Sequence, residues 1–487
     1  MMPSASLLDA LHGLVGQRGL LLGDDAQSYC TDWRSLYHGR TPAVVRPGDT
    51  AELASVMHLC AARNVPVVPQ GGNTGLVGGA VPSEAGDTLV ISLQRMNRVR
   101  ALDSLDLTLT VEAGVTLKAA QDAAAAVDCL LPLSISSEGS ATIGGVLSTN
   151  AGGNTTLRHG NARSQVLGLE VVLADGQVWN GLRRLRKDNT GYCLRQLFVG
   201  AEGTLGLITA AVLQLQPAIV ESESAFCAVL DPASALELLR RVRRQDPAAL
   251  TAFEYMSGVG VDLVLRHIQG ARLPLPVRAA HYVLLEMTTS RRGAGLREQL
   301  ETVLGQAMED GMVLDAALAD TGAQRDALWS LREEHAEAQK RAGVSVKNDI
   351  SVPISAIPEF LARAGAAIAA LDPAIRPAPF GHFGDGNIHY NLIQPEGGDG
   401  EAFLAKADEM AAVVNAVARA LDGSFSAEHG VGRLKAGLMM QWRGGPELDT
   451  MRRIKEALDP AGLLSPGTLF SVPMPQVAPS TWGLVGL

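Results

Sequence analysis

The pattern of hydrophobic and polar positions predicts a strand–helix–strand unit near the start of the chain. PAVVRP (42–47) and VPVVPQ (65–70) have the short apolar runs that are typical of strands. Between them, TAELASVMHLCAARN (50–64) carries apolar residues at helical spacing. Asp49 supplies the start signal of this helix and Asn64 its end signal. The unit leads directly into a glycine-rich loop.

The pattern changes after about residue 217. Apolar strands, AFCAVL (225–230) and AHYVLLEM (280–287), alternate with long helices rich in arginine and glutamate, LELLRRVRRQ (236–245) and REQLETVLGQAME (297–309). This alternation is typical of an α+β domain built on an antiparallel sheet. With 487 residues the chain is long enough for two or three domains.

Charge and cysteine content narrow the class of protein. A formal net charge of −10 without a basic stripe argues against nucleic acid as a partner. Five scattered cysteines without a CxxC pair indicate reduced thiols. The sequence shows neither a signal peptide nor a stretch near the ~20 apolar residues of a spanning helix. We therefore expect a cytoplasmic protein without a transmembrane segment, or one peripheral to the inner membrane.

Two glycine-rich loops carry the first candidate chemistry. Residues 71–79 follow a predicted strand, and residues 139–153 are nearly free of bulky side chains. Such loops let backbone N–H groups point at a phosphate, although glycine is also ordinary turn material. Neither loop matches the standard nucleotide fingerprints. Because two such loops occur in one domain, a single extended cofactor with a pyrophosphate explains them better than tight turns alone.

The segments around these loops resemble a known family of flavoenzymes. PVVPQGGNTGLVGG, SATIGGVLSTNAGGNTTLRHGNARSQVLGLEVVLADG and FVGAEGTLGLIT are similar to the FAD-binding domain of the vanillyl-alcohol oxidase / p-cresol methylhydroxylase (PCMH) superfamily. The order of motifs resembles its D-2-hydroxyglutarate dehydrogenase, D-lactate dehydrogenase and glycolate oxidase branch. The resemblance implies a two-subdomain, PCMH-type FAD-binding domain over 1–217, a substrate (cap) domain over 218–422, and a segment, 423–487, that completes the active site and returns to the FAD domain.

The resemblance also implies which residues line the cofactor. The phosphates are expected at the first loop and the flavin at the second, with Ile208 packed nearby. The residues carried over are Gly71, Gly72, Asn73, Thr74, Gly75 and Gly78 for the phosphates, and Ser140, Gly144, Gly145, Asn150 and Gly153 for the flavin. The first loop lacks the His or Cys that attaches flavin covalently in this superfamily, so non-covalent FAD is expected. Ser465 departs from the family pattern, where Asn is more frequent at the flavin edge.

A second group of candidate residues lies in GHFGDGNIHYNL (381–392) and AEHGVGR (427–433). Imidazoles and a carboxylate in glycine-flanked loops suit a divalent metal, although a loop histidine is often only a hydrogen-bonded structural residue. The family resemblance implies that His382, His389 and Glu428 bind the metal. It further implies that His429 is the catalytic acid/base and a substrate contact, and that Asn391 contacts the substrate carboxylate. Zinc is the first choice, with manganese or iron as alternatives.

Two cations are candidates for binding the substrate's acid groups. Arg332 lies in a predicted helix and Lys347 in the strand-like VSVKNDISVP (344–353). From the residues alone, either could be an ordinary solvated surface charge. The WxxRE…KxDIS arrangement resembles D-2-hydroxyglutarate dehydrogenases and implies that both bind carboxylate. Ala336 departs from that pattern, where a Thr often grips the distal carboxylate.

Together these features predict a metal-assisted, FAD-dependent D-2-hydroxy-acid dehydrogenase. The metal would acidify the substrate hydroxyl, His429 would take its proton, and hydride would pass to flavin N5. D-2-hydroxyglutarate is the first substrate candidate, with D-malate, D-lactate and glycolate as alternatives. An electron-transfer flavoprotein or a quinone is the expected electron acceptor, and the chain is expected to form a homodimer. A flavin-carrying subunit of an electron-transfer complex is the non-enzymatic alternative.

Overall fold

The computed structural model describes residues 5–470, and the chain begins with a small mixed sheet. Its strands lie in the order β1-β2-β4-β3, with β2, β4 and β3 parallel and β1 antiparallel. They are β1 (Leu20–Leu21), β2 (Val44–Val45), β3 (Val67–Gln70) and β4 (Leu89–Ser92). The helices α1 (Ala5–Val15) and α2 (Thr50–Arg63) pack against this sheet. The Asp49 side chain accepts a hydrogen bond from Glu52 N, and Asn64 ends α2 in the left-handed conformation, which confirms both predicted helix signals.

A five-stranded antiparallel sheet in the order β5-β6-β10-β8-β9 follows. Its strands are β5 (Val99–Asp103), β6 (Thr108–Glu112), β8 (Val166–Val172), β9 (Val178–Gly181) and β10 (Leu207–Gln214). A separate pair, β7 (Cys129–Leu130) and β11 (Gln216–Pro217), lies beside it. The helices of this part are α3 (Leu117–Ala125), α4 (Ile143–Ser148), α5 (Thr156–His159), α6 (Ala162–Gln165) and α7 (Arg195–Phe198). Strands β6, β8 and β10 are buried along nearly their whole length.

The largest sheet of the described residues is antiparallel, in the order β15-β12-β14-β13-β19-β20-β17. Its strands are β12 (Glu221–Val229), β13 (Leu250–Ser257), β14 (His281–Thr289), β15 (Val313–Leu318), β17 (Asp349–Ser351), β19 (Phe380–Gly381) and β20 (Asn387–His389). A smaller sheet comprises β16 (Ser345–Val346), β18 (Arg376–Pro377) and β21 (Leu392–Ile393). The predicted antiparallel cap sheet is therefore confirmed.

Helices cover both faces of this cap sheet. They are α8 (Pro232–Gln245), α9 (Gly258–His267), α10 (Leu296–Glu309), α11 (Gly322–Glu333), α12 (His335–Arg341), α13 (Ile357–Leu371), α14 (Gly400–Leu404) and α15 (Ala407–Ala420). Because side chains alternate between the faces of a strand, Phe253 and Tyr255 of β13 join one core with α8, α10, α13 and α15. Met256 joins the other core with α9, α11 and α12, and Glu254 points to that same face.

The helix expected around Arg332 is broken in two. Helix α11 ends at Glu333, Glu334 has φ −78° and ψ 0°, and α12 begins at His335. Ala336 consequently does not lie one regular helical turn after Arg332. This local break was not visible in the hydrophobic spacing, which continues across it.

Residues 354–371, which include α13, are long and apolar enough to span a membrane by length and composition alone. In the fold, Ile357, Phe360, Ala364 and Ile368 of this helix recur at helical spacing and are buried in the cap core. That packing accounts for the apolar character of one face of the helix.

The end of the described chain returns to the first sheet. After α16 (Ala436–Trp442) and α17 (Pro446–Leu458), Val67 N donates to Leu463 O and Ser465 N donates to Val67 O. The Lys455 ammonium donates to Thr204 O, to Leu464 O and to the Asp459 carboxylate. One buried cation thus attaches the C-terminal segment to the part of the chain that is predicted to bind FAD. The domain division at residues 217 and 422 stays a prediction.

Replacing Lys455 by methionine should destabilise the protein by about 3 kcal/mol or more, because it leaves a buried carboxylate without its cation. The side chains of Lys455 and Asp459 are 9% and 1% exposed, whereas the equally spaced pair Lys118–Asp122 is 56% and 61% exposed. Lys118→Met is therefore the matched control, with an expected cost below about 1 kcal/mol. Urea unfolding followed by circular dichroism measures both, and equal midpoints for the two variants would contradict the prediction.

Candidate active site

The predicted metal and base residues come together where the cap sheet meets the C-terminal segment. His389 and Asp349 are cross-strand partners on β20 and β17, and His382 follows β19. Ser351 of β17 exchanges backbone hydrogen bonds with Ser424, which brings the following segment, residues 427–433, against the same strands.

Three imidazole nitrogens converge on one carboxylate oxygen. His382 Nε2, His389 Nε2 and His429 Nε2 lie 3.7, 3.4 and 3.9 Å from Glu428 Oε1. These separations exceed those of ordinary N–H···O hydrogen bonds, about 2.7–3.2 Å. Two ligands about 2.1 Å from a tetrahedral ion lie about 3.4 Å apart, so the first two distances fit a metal ion between the groups.

Glu254 fixes the orientation of His382. Its Oε1 lies 2.8 Å from His382 Nδ1, and its Oε2 accepts a hydrogen bond of 2.6 Å from Arg332 Nε. Since a carboxylate only accepts, Nδ1 carries the hydrogen and Nε2 is left facing Glu428. Burial disfavours the charged form of Glu254, but His382 and Arg332 outweigh it and lower its pKa to about 2.

The charges around His382 favour a cation. Burial lowers the pKa of His382, but Glu254 and Glu428 outweigh it and raise that pKa well above its usual value. Burial likewise opposes ionisation of Glu428, yet the adjacent His382 and His389 hold the pKa of Glu428 well below its usual range. Two ionised carboxylates therefore flank His382, and positive charge is stabilised there, whether as a proton or as a metal ion.

Asp349 orients Glu428 and His429. Its Oδ2 accepts hydrogen bonds from Glu428 N and His429 N, at 3.2 and 3.0 Å, and lies 3.3 Å from His429 Nδ1. Burial lowers the pKa of His429 in spite of the Asp349 charge. Asp349, His389, Glu428 and His429 also form a candidate ligand set, because one ligand atom of each lies within 4.8 Å of the others.

The predicted substrate residues surround this cluster at different depths. Arg332 is buried, with its guanidinium carbon 4.9 Å from the centre of the Phe380 ring, and that ring also contacts His389. Asn391 is buried and donates a 2.8 Å hydrogen bond from Nδ2 to Gln339 Oε1 on α12. Lys347 is exposed and lies in the short connection between β16 and β17, two residues before the buried Asp349.

The two glycine loops pack directly against each other. A Cβ at Gly72 would lie 1.9 Å from Ser140 O, and a Cβ at Gly71 would lie 2.3 Å from Thr142 Oγ1. Only glycine permits this approach. By contrast, no heavy atom lies within 4 Å of a Cβ built at Gly75, and at Gly145 the only such contact is Thr142 Oγ1, at 3.5 Å. The loops therefore leave space beside Gly75 and Gly145, as the close approach of a pyrophosphate or flavin to the backbone requires.

The other predicted cofactor residues belong to these loops or lie beneath them. Ile208 of β10 is buried in the same core as α4, the helix that carries Gly144 and Gly145. Asn73 Nδ2 donates to Thr31 O, and Asn150 Oδ1 accepts from Arg163 N. The positions with positive φ among the predicted set are Asn73, Gly78, Asn150 and Gly153. The Ser465 hydroxyl is buried without a hydrogen-bond partner among the described residues.

The second loop adjoins the His/Glu cluster. A Cβ at Gly152 would lie 3.2 Å from Glu428 Oε2. Nearby, Glu202 accepts hydrogen bonds from Val431 N and Gly432 N, at 2.8 and 2.7 Å, and so joins the predicted FAD-binding part to the segment that carries Glu428. The candidate cofactor wall and the candidate metal cluster are thus parts of one site.

Sequence reasoning missed Glu254 and Asp349. Glu254 lies inside a fully buried strand with no motif around it, so it left no local signal. Asp349 lies in the KNDIS segment that singled out Lys347, so the sequence did offer a signal for it. Lys435 was also missed; its ammonium donates to Phe425 O and Ser426 Oγ and lies 3.8 Å from Asp349 Oδ2.

Comparison with known proteins identifies both halves of the chain. A family described as "FAD binding domain" matches residues 41–181, and one described as "FAD linked oxidases, C-terminal domain" matches residues 220–469. D-2-hydroxyglutarate dehydrogenase from Xanthomonas citri pv. viticola is 37% identical over 92% of this chain and 93% of its own. The mitochondrial D-2-hydroxyglutarate dehydrogenase of Bos taurus is 37% identical over 94% of this chain and 82% of its own. D-2-hydroxyglutarate–pyruvate transhydrogenase from Saccharomyces cerevisiae is 33% identical over 91% of this chain and 89% of its own.

Solved structures share the fold at low sequence identity. Substrate-bound p-cresol methylhydroxylase superposes with a TM-score of 0.70 at 15% identity, covering 95% of this chain and 96% of its own. The 4-ethylphenol oxidase from Gulosibacter chungangensis superposes with a TM-score of 0.71 at 18% identity, covering 96% of this chain and 97% of its own. The expected PCMH-type architecture is therefore confirmed. The chain belongs to the FAD-linked oxidases and, within them, to the family of D-2-hydroxyglutarate dehydrogenases.

Proposed function

We propose that this chain oxidises D-2-hydroxyglutarate to the 2-oxo acid with non-covalent FAD and a divalent metal. The observation that carries the proposal is the convergence of His382, His389 and His429 on Glu428 directly beside the second glycine loop. The substrate is taken from the printed names of relatives that are 33–37% identical over most of the chain.

His382, His389 and Glu428 are the proposed metal ligands. Glu254 supports this assignment because it holds His382 with Nε2 towards Glu428, as carboxylates do for ligating histidines. When bound, the ion would act as a Lewis acid on the substrate hydroxyl. Zinc is our first choice, and manganese or iron suits the same set of donors.

His429 is the proposed base. Its burial and lowered pKa favour the neutral form, which can accept the hydroxyl proton. Asp349, 3.3 Å from Nδ1, favours a hydrogen on that nitrogen and so leaves Nε2 to receive the proton. When bound, FAD would accept the hydride from the substrate carbon, a redox step that no side chain supplies.

Arg332, Lys347 and Asn391 are proposed to hold the substrate. The Arg332 Nε is occupied by Glu254, and no described residue accepts a hydrogen bond from its terminal nitrogens, which can fork to a carboxylate. Lys347 likewise has no hydrogen-bond or ion-pair partner among residues 5–470. Gln339 orients the Asn391 amide. The proposed phosphate and flavin contacts remain those of the two loops.

The remaining partners stay predictions. An electron-transfer flavoprotein or a quinone is the proposed acceptor, with a homodimer in the cytoplasm or at the inner membrane. Ala336 is exposed and offers no side-chain donor, which keeps D-malate, D-lactate and glycolate as rival substrates. A panel of acids separates them.

Anaerobic mixing of the holoenzyme with each acid should bleach the flavin most efficiently with D-2-hydroxyglutarate. L-2-hydroxyglutarate is the stereochemical control and should leave the flavin oxidised. Stopped-flow absorbance gives a reduction rate and an apparent dissociation constant for each acid. An oxidised spectrum with D-2-hydroxyglutarate, together with bleaching by D-lactate or glycolate, would replace the proposed substrate. An oxidised spectrum with every acid would favour the electron-carrying subunit.

The two candidate ligand sets predict different metal contents. If His382, His389 and Glu428 hold the ion, His382→Ala should lose most of the bound metal, whereas His429→Gln should keep it. Elemental analysis of the purified holoproteins, with flavin absorbance to normalise for folded enzyme, measures both. The reverse pattern would assign the ion to Asp349, His389, Glu428 and His429.

Replacing His429 by glutamine should reduce kcat about 10²–10⁴-fold, the usual contribution of a positioned base. FAD and metal content should not change, because His429 is outside the proposed ligand set. His12→Gln, at an exposed position on α1, is the control for loss of a histidine. A wild-type rate in His429→Gln would remove the base from the proposal.

A further inference from the structure

Four rings form a continuous series of aromatic contacts from the interior of the cap to the proposed base. His335, the first residue of α12, stacks on Phe380 with the ring centres 4.8 Å apart and the planes inclined by 21°. The Phe380 and His389 rings are 5.0 Å apart. The His389 and His429 rings are 5.5 Å apart, with planes inclined by 15°. A buried residue of the cap is thus connected through rings to two residues of the candidate active site.

The ring of His389 has no hydrogen bond that would set its orientation. His382, by contrast, is held through Nδ1 by Glu254 at 2.8 Å. The Nδ1 atom of His389 is 3.8 Å from Asp349 Oδ1, which is longer than a hydrogen bond, and no hydrogen bond of this ring occurs among residues 5–470. A ligating histidine ordinarily has such a partner. The aromatic contacts are therefore what remains to fix the plane of the His389 ring.

Phe380 is the ring through which these contacts pass. It is the cross-strand partner of His389 on β19 and β20, so the two side chains lie on the same face of the sheet. Its ring centre also lies 4.9 Å from the guanidinium carbon of Arg332. A rotation of Phe380 would consequently disturb both a proposed metal ligand and a proposed substrate residue.

His335, which stacks on Phe380, is buried without its usual polar partners. It is 0% exposed, and neither Nδ1 nor Nε2 has a hydrogen-bond partner in the part of the chain that the structure describes. Burial and the nearby Arg332 charge lower the pKa of His335 to about 3, so the ring is neutral. Buried polar atoms without partners cost free energy. An aliphatic side chain would avoid this cost, but it would not stack flat on a ring.

The neighbouring helix leaves room for an imidazole and little more. A Cβ at Gly260 of α9 would lie 2.5 Å from His335 Cε1 and 2.7 Å from its Nδ1. Glycine at this position therefore lets α9 approach the ring closely. The His335 ring is in contact with α9 as well as with Phe380, which restricts its movement.

We propose that His335 is a positioning residue for the active site, which fixes the Phe380 ring and, through it, the rings of His389 and His429. The proposal rests on the proposed function, which assigns His389 to the metal and His429 to the base. A neutral imidazole suits this role because it is flat, smaller than a phenyl ring, and adds no charge beside Arg332.

Replacing His335 by alanine should weaken metal binding by the holoenzyme about 10–100-fold, the usual effect of losing a group that orients a ligating histidine. Titration of the metal-free holoenzyme with Zn²⁺ against a competing chelator measures the affinity. His335→Phe should recover part of it, because a stacked ring is restored. Val264→Ala removes buried atoms from the same core and is the control. It should lower the unfolding midpoint and leave the Zn²⁺ affinity unchanged.

Gly260→Ala tests the same contact without removing a ring. The added methyl group should displace His335 from Phe380 and weaken Zn²⁺ binding as His335→Ala does. Gly305→Ala on α10 is its control, because no heavy atom lies within 4 Å of a Cβ at that position. If His335→Ala does not fold, this pair of glycine variants provides the comparison.

Histidine NMR tests the ring contacts without metal or turnover. The holoenzyme is prepared with isotope-labelled histidine, and the signals of His389 and His429 are assigned from their glutamine variants. Both signals should shift in His335→Ala and in Gly260→Ala, because ring currents depend on the stacking, and neither should shift in Val264→Ala.

The outcomes separate this inference from the proposed function. Wild-type enzyme that neither binds Zn²⁺ nor oxidises D-2-hydroxyglutarate refutes the function, while the NMR signals still test His335. Unchanged His389 and His429 signals in both variants would overturn the positioning role. Shifted signals with wild-type Zn²⁺ affinity and wild-type kcat would also overturn it, because the stack would then have no effect on the active site.

Discussion

The buried carboxylate of Asp349 joins the cap sheet to the C-terminal segment, and the geometry of the site depends on this junction. One of its oxygens accepts hydrogen bonds from the backbone of both Glu428 and His429 and lies beside the His429 ring. Burying a carboxylate is costly unless it is fully paired. The hydrogen bonds that stabilise the buried Asp349 charge therefore also fix the positions of Glu428 and His429.

Glu254 has the same role on the cap side. It bridges Arg332 and His382, so one carboxylate orients both a candidate carboxylate-binding residue and a candidate metal ligand. Removing either partner would leave a charge in a buried strand. The cluster thus belongs to a connected network in which each group limits the freedom of the next, as a preorganised site requires.

Much of the fold could be predicted because its signals are local. Apolar spacing predicted the strands and helices of the first unit and the antiparallel cap sheet, and Asp49 and Asn64 bound α2 as expected. The break at Glu334 escaped prediction, because hydrophobic spacing continues through α11 and α12 while the backbone turns. Periodicity reports which face is buried, and it does not report a single residue's deviation from helical dihedrals.

The sequence by itself determined the helices and strands, the two glycine loops and the family, because each leaves a signal in residues that are neighbours along the chain. The tertiary structure decided which distant residues meet. Glu254 and His382 are 128 positions apart, and Asp349 and His429 are 80 apart. Tyr37 and Arg433, which are in contact through the ring and the guanidinium, come from opposite ends of the chain. Such pairings follow from strand order and from the need to pair buried charges, and neither leaves a periodic signal in a single sequence.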